Sequence, residues 1–177
     1  MHADLTRSVE DYLKTIYQLT ESGEAATTTR IAEQLGVAAP SVSGMIKRLA
    51  EQQLLKHEPY RGVTLSRSGR REALRMVRRH RVIEAYLVEH LGYGWDTVHD
   101  EAERLEHAVS DDLVNRMAEA MGNPTVDPHG DPIPSADGVM PQQATMPLPD
   151  VVDGATVTIV RVDTEAGDRL RWFADNG

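Results

Sequence analysis

The chain contains no cysteine, which removes disulfides, zinc–thiolate sites and thiol catalysis together. Aromatic residues are scarce, at 5% of 177 positions, so the core has to be mostly aliphatic. No apolar run approaches the roughly 20 residues that a membrane-spanning helix needs. Met1-His-Ala-Asp4 lacks a basic segment followed by an apolar one, so no export signal is visible and a cytoplasmic location is expected. No internal repeat is found. What the chain does have is 40% hydrophobic residues, enough for a packed core in one good-sized domain or a domain with an appendage.

Net charge is −9 at pH 7, which taken alone argues against nucleic acid. The distribution argues the other way. Residues 1–80 hold 13 of the 19 Lys and Arg against 9 acids, while the remainder holds 6 basic residues against 19 acids. Such asymmetry suggests a nucleic-acid-facing first half and a different task for the second.

Val9, Leu13, Ile16 and Tyr17 recur at helical spacing and predict a first helix over 5–21, ended by Gly23. Thr27, Thr28 and Thr29 offer an N-cap for a second helix from Arg30 to Leu35, closed by Gly36. Pro40 suits the first turn of a third helix reaching about Gln52. In it Val42, Ile46 and Leu49 face inward, and Ser41, Ser43, Gly44 and Lys47 face outward. Two short helices joined by a tight turn, the second opening on small hydroxyl residues, form a helix-turn-helix signal. Leu54–His57 and Gly62–Leu65 read as short strands around a turn, that is, a wing with Arg61 at its tip placed to meet phosphate. Motif, wing and local positive charge together favour DNA binding over a generic three-helix domain with a hairpin. The residues expected to face DNA are Arg30, Pro40, Ser41, Ser43, Lys47, Arg48 and Arg61.

Ser68 is expected to cap a long helix to about Leu91, arginine-rich in its first half, with Val77, Leu87, Val88 and Leu91 on its apolar arc. His80 and Glu84, one turn apart, share that arc. A polar pair in an apolar stripe is either mutually hydrogen-bonded or coordinates a metal, because burying it alone is costly. Asp96 is expected to cap the next helix, which carries His99-Asp-Glu-Ala-Glu-Arg-Leu-Glu-His107. At about 100° per residue, His99, Glu103, Glu106 and His107 fall on one arc. Val98, Ala102, Leu105 and Val109 form a separate apolar stripe, and Asp100, Glu101 and Arg104 face water. Two imidazoles and two carboxylates on one edge make either a divalent-metal site or a solvated acidic helix with incidental histidines. A short helix over 111–121 follows. Leu87, Leu91, Val109 and Leu113 are more apolar surface than a DNA-binding module needs, which predicts a helical homodimer interface. Residues 122–150 read as a proline-rich loop, with His129 a loop residue rather than a ligand. Ala155–Val162 alternates and predicts a strand, and Glu165–Asp175 predicts a helix.

Asp11-Tyr-Leu-Lys-Thr-Ile-Tyr17, Ile31-Ala-Glu-Gln-Leu35, Pro40-Ser-Val-Ser43, Arg79-His-Arg81, Val98-His-Asp-Glu-Ala102, Glu106-His107 and Gly130-Asp-Pro-Ile-Pro134 carry a resemblance. Through them the chain resembles the DtxR/MntR family of metal-dependent transcriptional repressors. The C-terminal piece resembles the start of the SH3-like domain of longer members, and the chain is expected to stop partway through it. The implied fold is mainly α. A winged helix-turn-helix DNA-binding domain spans 1–72, a helical metal-binding and dimerisation domain 73–122, a Pro-rich linker 123–150, and a partial SH3-like β module 151–177.

The resemblance implies two ions per subunit. The primary site would use Asp11, Glu103, Glu106 and His107, and the ancillary site His80, Glu84 and His99, with Glu165 and Asp168 both open as its completion. Iron-responsive relatives place Met and Cys where Asp11 and Glu103 stand, and manganese-responsive relatives place carboxylates there. A set of carboxylates and imidazoles suits Mn²⁺, with Fe²⁺ the alternative. Lys14 stands where short manganese regulators carry a carboxylate, so a tight binuclear cluster is not expected. Gly44 replaces a base-contacting side chain of some relatives, so the operator sequence does not transfer.

The expected protein is therefore no enzyme and not a membrane protein. It is a Mn²⁺-activated repressor of metal-homeostasis genes that binds double-stranded operator DNA as a homodimer. A cation is expected to hold the first helix to the acidic His-containing helix. Two rivals are a winged-helix regulator with an organic ligand and a metal-dependent phosphohydrolase suggested by His99-Asp100. The second is weak, because Asp100 points to the solvent arc and no nucleophile or glycine-rich anion loop accompanies it.

Overall fold

A computed structural model of the chain describes residues 5–21, 25–58, 62–162 and 170–173. The described chain is mainly helical and divides into two compact units. One is formed by residues 1–77 with 137–139, the other by 78–136 with 140–177.

In the first unit, α1 spans Arg7–Glu21, α2 Thr28–Leu35 and α3 Ala39–Glu51. The apolar positions recurring every three or four residues end up inside. Leu13, Ile16, Ile31, Val42 and Leu49 are all fully buried. α2 begins where the Thr27 hydroxyl accepts the Arg30 N–H at 3.3 Å. It ends at Gly36, whose φ of 64° suits a residue without a Cβ and lets its N–H turn back to the Glu33 carbonyl. α3 opens with Pro40 in its first turn, where a missing N–H costs nothing. β1, Leu55–Glu58, pairs antiparallel with β2, Gly62–Leu65, in the register Leu55↔Leu65 to Glu58↔Gly62. Val63 is buried, and its N–H donates to the Ala26 carbonyl at 3.1 Å, which fastens the wing to the segment before α2. Gly23 and Arg61 lie outside the described residues.

α4, Arg67–Leu91, starts in the first unit and continues into the second. Ser66 opens it rather than Ser68. The Ser66 hydroxyl accepts the Gly69 N–H at 3.0 Å, while Ser68 donates back to the Gln53 carbonyl. Much of the positive excess of the first 80 residues lies on this helix, and the protein itself engages it. Arg70 pairs with Glu21 at 2.7 Å and Arg75 with Glu72 at 2.6 Å. Arg78 donates to the Pro134 carbonyl, Arg79 pairs with Asp111, and Arg81 donates to the Pro132 carbonyl.

In the second unit, α4 packs with α5, Val98–Leu105, and α6, Asp111–Ala120. Ile83, Leu87, Val98 and Ala102 form one apolar cluster, and Val82, Val114, Ala118 and Ile133 another. Leu87 thus belongs to the interior, not to a surface awaiting a partner. Leu91 and Leu113 do remain exposed, at 61% and 41%. α5 is N-capped at Thr97, not Asp96, and without a side-chain hydrogen bond. It ends at Leu105, so Glu106 and His107 occupy the turn after it.

Residues 123–134 are a loop, and one built into this unit. Asp127 N–H donates to the Asp131 carbonyl, Ile133 N–H donates to the Thr125 carbonyl, and Ile133 is buried. Ala155–Val162 does not form the expected strand. Alternation specifies a strand only when a neighbour takes up its backbone groups. Among the described residues only the Val162 N–H finds a backbone partner in another segment, the His129 carbonyl, and Val157, Ile159 and Val160 stay about half exposed. Glu165, Asp168 and most of the expected final helix lie outside the described residues. No described helix is long and apolar enough to cross a membrane.

Candidate functional site

The polar content of the second unit's interior is its unusual feature. His80, Glu84, Glu106, Asp127, His129 and Asp131 are all less than a tenth exposed. Buried ionisable groups have to be paired with one another or with a cation. α4 supplies His80 and Glu84 from successive turns of one face, α5 supplies His99 and Glu103, the following turn Glu106 and His107, and the 123–134 loop Asp127 and His129.

His80 Nδ1 lies 2.6 Å from a Glu106 oxygen and therefore donates to it. The other ring nitrogen, Nε2, stands 2.9 Å from Glu84 Oε1 and 3.0 Å from His99 Nδ1, and those two atoms are 3.1 Å apart. Burial alone would push the Glu84 carboxyl up, but hydrogen bonds with His80 and His99 and the charges of His80 and His129 hold it well below the usual carboxylate range. Glu84 is therefore ionised. With it ionised, every placement of protons on the two imidazoles leaves one edge of the triangle without a hydrogen bond. A divalent cation resolves this, since three ligand atoms bonded at about 2.1 Å and at right angles stand about 3.0 Å apart. The residues fit the ion, and His80 is oriented as ligating histidines commonly are, its remote N–H held by a carboxylate.

The sequence-expected ancillary set, His80, Glu84 and His99, is thus brought together. Of the expected primary set, Glu103, Glu106 and His107 belong to the second unit. Glu103, half exposed, has its carboxylate 3.8 Å from both His80 Nδ1 and His99 Nε2, beside the ancillary histidines. Glu106 is fully buried, and its other oxygen lies 3.4 Å from His107 Nε2. Asp11 is half-buried on α1, in the first unit.

A further group, not expected from the sequence, consists of Glu84, Asp127 and His129, each with a ligand atom within 4.8 Å of the others. His129 lies in a loop, as expected, yet it is only 2% exposed. Its Nε2–H donates to the Trp95 carbonyl at 3.0 Å, and its buried Nδ1 has no hydrogen-bond partner among the described residues. Burial and the charges of Glu84 and Asp131 push the Asp127 carboxyl up to about 6, against the Asp131 N–H and Arg81. Asp-Pro-His-Gly-Asp resembles an ordinary turn sequence. The one available signal was its pairing of an acid with a histidine.

On the first unit, Pro40, Ser41, Ser43, Lys47 and Arg48 of α3 are all exposed. Arg30 on α2 is exposed beside Glu33 at 3.4 Å. Ser43 turns its hydroxyl back to the Ala39 carbonyl at 3.2 Å.

Residues 4–63 match a family model described as the iron dependent repressor N-terminal DNA binding domain. Residues 66–135 match that of the iron dependent repressor metal binding and dimerisation domain. The chain is 40% identical over 131 residues to the iron-dependent repressor IdeR of Mycobacterium leprae, which covers 74% of this chain and 57% of that protein. It is 36% identical over 155 residues to the diphtheria toxin repressor of Corynebacterium diphtheriae, covering 86% and 69% respectively. A solved structure described as a manganese-dependent transcriptional repressor in complex with manganese is 49% identical. It covers 96% of this chain and 78% of that one, with a TM-score of 0.88. The chain therefore spans little more than half the length of the mycobacterial relative.

Proposed function

Since this chain belongs to the DtxR/MntR family of metal-dependent repressors, we propose that it is a Mn²⁺-activated transcriptional repressor. It controls metal-homeostasis genes by binding double-stranded operator DNA as a homodimer. The observation that carries the reading is the triangle of His80 Nε2, Glu84 Oε1 and His99 Nδ1, with edges of 2.9, 3.0 and 3.1 Å. A bound divalent cation supplies the positive charge that this convergence of lone pairs requires.

In this reading His80, Glu84 and His99 hold one ion, and Glu106 fixes the His80 tautomer. Glu84, Asp127 and His129 extend the same centre, with Glu84 belonging to both groups. A second ion belongs to Asp11, Glu103, Glu106 and His107, a set proposed on the family motif. Every donor is oxygen or nitrogen, and a chain without cysteine offers no thiolate, which favours Mn²⁺ or Fe²⁺ over softer ions. The Fe²⁺ reading is favoured by iron-dependent relatives at 40% identity, the Mn²⁺ reading by the carboxylates at Asp11 and Glu103.

α3 is proposed to enter the major groove, with Pro40 meeting a thymine methyl and Ser41, Ser43, Lys47, Arg48 and Arg30 positioned on phosphates. Ion and operator affinities are then linked through about 1–3 kcal/mol, which is 5- to 150-fold in either affinity. Operator affinity measured across Mn²⁺, Fe²⁺, Co²⁺ and chelator tests this. Tightening of that size by Mn²⁺, lost in His80→Ala and shifted in metal preference by Asp11→Met with Glu103→Cys, is expected. Affinity indifferent to all three metals defeats the reading.

A further inference from the structure

We infer that residues 160–162 form a strap across the 127–131 loop, with Arg161 and the Val162 amide acting as positioning groups for the His129 side of the metal centre. The inference rests on the proposed cation-binding role of Glu84, Asp127 and His129.

Each of three consecutive loop residues is met by one residue of the strap. The His129 carbonyl accepts the Val162 N–H at 3.0 Å. Gly130, at φ 88°, lies so close that a Cβ there would run into the Val160 carbonyl. Asp131 Oδ1 forms ion pairs with Arg161 Nε at 2.9 Å and Arg81 Nη2 at 3.3 Å. Within the loop, the Asp127 carboxylate accepts the N–H groups of His129 and Asp131, both at 2.9 Å. Moving residues 129–131 therefore moves the Asp127 side chain as well as the His129 ring.

The strap itself is weakly held. It has no strand neighbour among the described residues, and Val160 is about half exposed. A segment with few buried contacts opens at low cost, so its attachment is the part of the assembly able to respond to occupancy. Linkage runs both ways. A cation that fixes Asp127 and His129 stabilises the surface on which residues 160–162 rest, and a fastened strap raises affinity for the cation.

Hydrogen exchange of the Val162 amide and Mn²⁺ binding, both measured on the full chain with Mn²⁺ alone as probe, test this. Val162 exchange is expected to slow about tenfold with Mn²⁺ in the wild type and to stay fast in His129→Ala. Arg161→Ala is expected to weaken the ion lost in His129→Ala several-fold, and Arg161→Lys to recover most of it. The strap is overturned if His129→Ala removes an ion while Val162 exchange is the same with and without Mn²⁺. If His129→Ala binds as many ions as the wild type, the reading of the cluster itself falls and the strap falls with it.

Discussion

Glu106 shows how much one carboxylate can decide. It is fully buried, accepts the His80 Nδ1–H at 2.6 Å and faces His107 with its other oxygen. Glu106→Ala leaves a buried imidazole N–H unpaired, and a loss of about 1–3 kcal/mol in urea unfolding is expected. Mn²⁺ affinity should also fall about 10- to 100-fold, because the ligand behind the contact loses its orientation. Glu106→Gln keeps an acceptor and should lose less of both. Asp127 gives a prediction in pH. Its folded carboxyl is raised to about 6 by burial and by the charges of Glu84 and Asp131, whereas an unfolded aspartate titrates near 3.9. The folded state then holds the extra proton between about pH 4 and 6, so this group's contribution to stability is largest at low pH and is lost as pH rises through 6. Glu84 works in the opposite sense, its contribution being lost as pH falls below the ordinary glutamate range. In chelator, the stability advantage of Asp127→Asn over wild type is therefore expected to grow by about 2 kcal/mol from about pH 4.5 to 6.5. Parallel urea-unfolding curves at the two pH values would exclude it.

At the scale of elements, α2 and α3 follow from local rules almost residue by residue. Thr27 caps, Gly36 closes and Pro40 reopens the helix. Thr27→Ala is expected to cost about 1 kcal/mol in chemical denaturation, since the Arg30 N–H loses its acceptor. On the exposed face of α3, Lys47→Ala should weaken DNA binding similarly across sequences and reduce the slope of log affinity against log salt by about 1. Loss of discrimination at one base pair with an unchanged slope would move Lys47 from phosphate to base. α4 is the element where composition misleads. Its arginines suggest a basic surface, but Arg70, Arg75, Arg78, Arg79 and Arg81 are taken up by acids and carbonyls of the chain. Counting charges cannot distinguish an arginine that meets phosphate from one that holds a loop.

At the scale of the whole molecule, self-association is the property the apolar surface bears on. Leu87 leaves that surface for the core, while Leu91, Tyr93 and Leu113 stay exposed on the second unit. Leu113→Glu introduces a charge that is well hydrated in a monomer and costly in an apolar interface. Sedimentation of this variant with Mn²⁺ should show monomer at concentrations where the wild type is dimeric, with no change in helix content. An unchanged dimer would place the interface elsewhere.

Much of the fold was legible because it is local. Helices α1 to α6 and the β1–β2 hairpin follow from apolar spacing, caps and turn residues within a few positions of each other, and so did the meeting of His80 with Glu84 one turn away. Distance along the chain is what periodicity cannot cross. A helical wheel places His99, Glu103, Glu106 and His107 on one arc, but packing divides them: His99 goes to His80 and Glu84, and Glu106 turns to His80 and His107 from beyond the helix end. The strand expected at 155–162 failed for the same reason, since alternation names a face but supplies no neighbour. Asp127 and His129 became candidates only when the loop folded onto α4, because burial turns a carboxylate and an imidazole from ordinary turn chemistry into groups that need a partner.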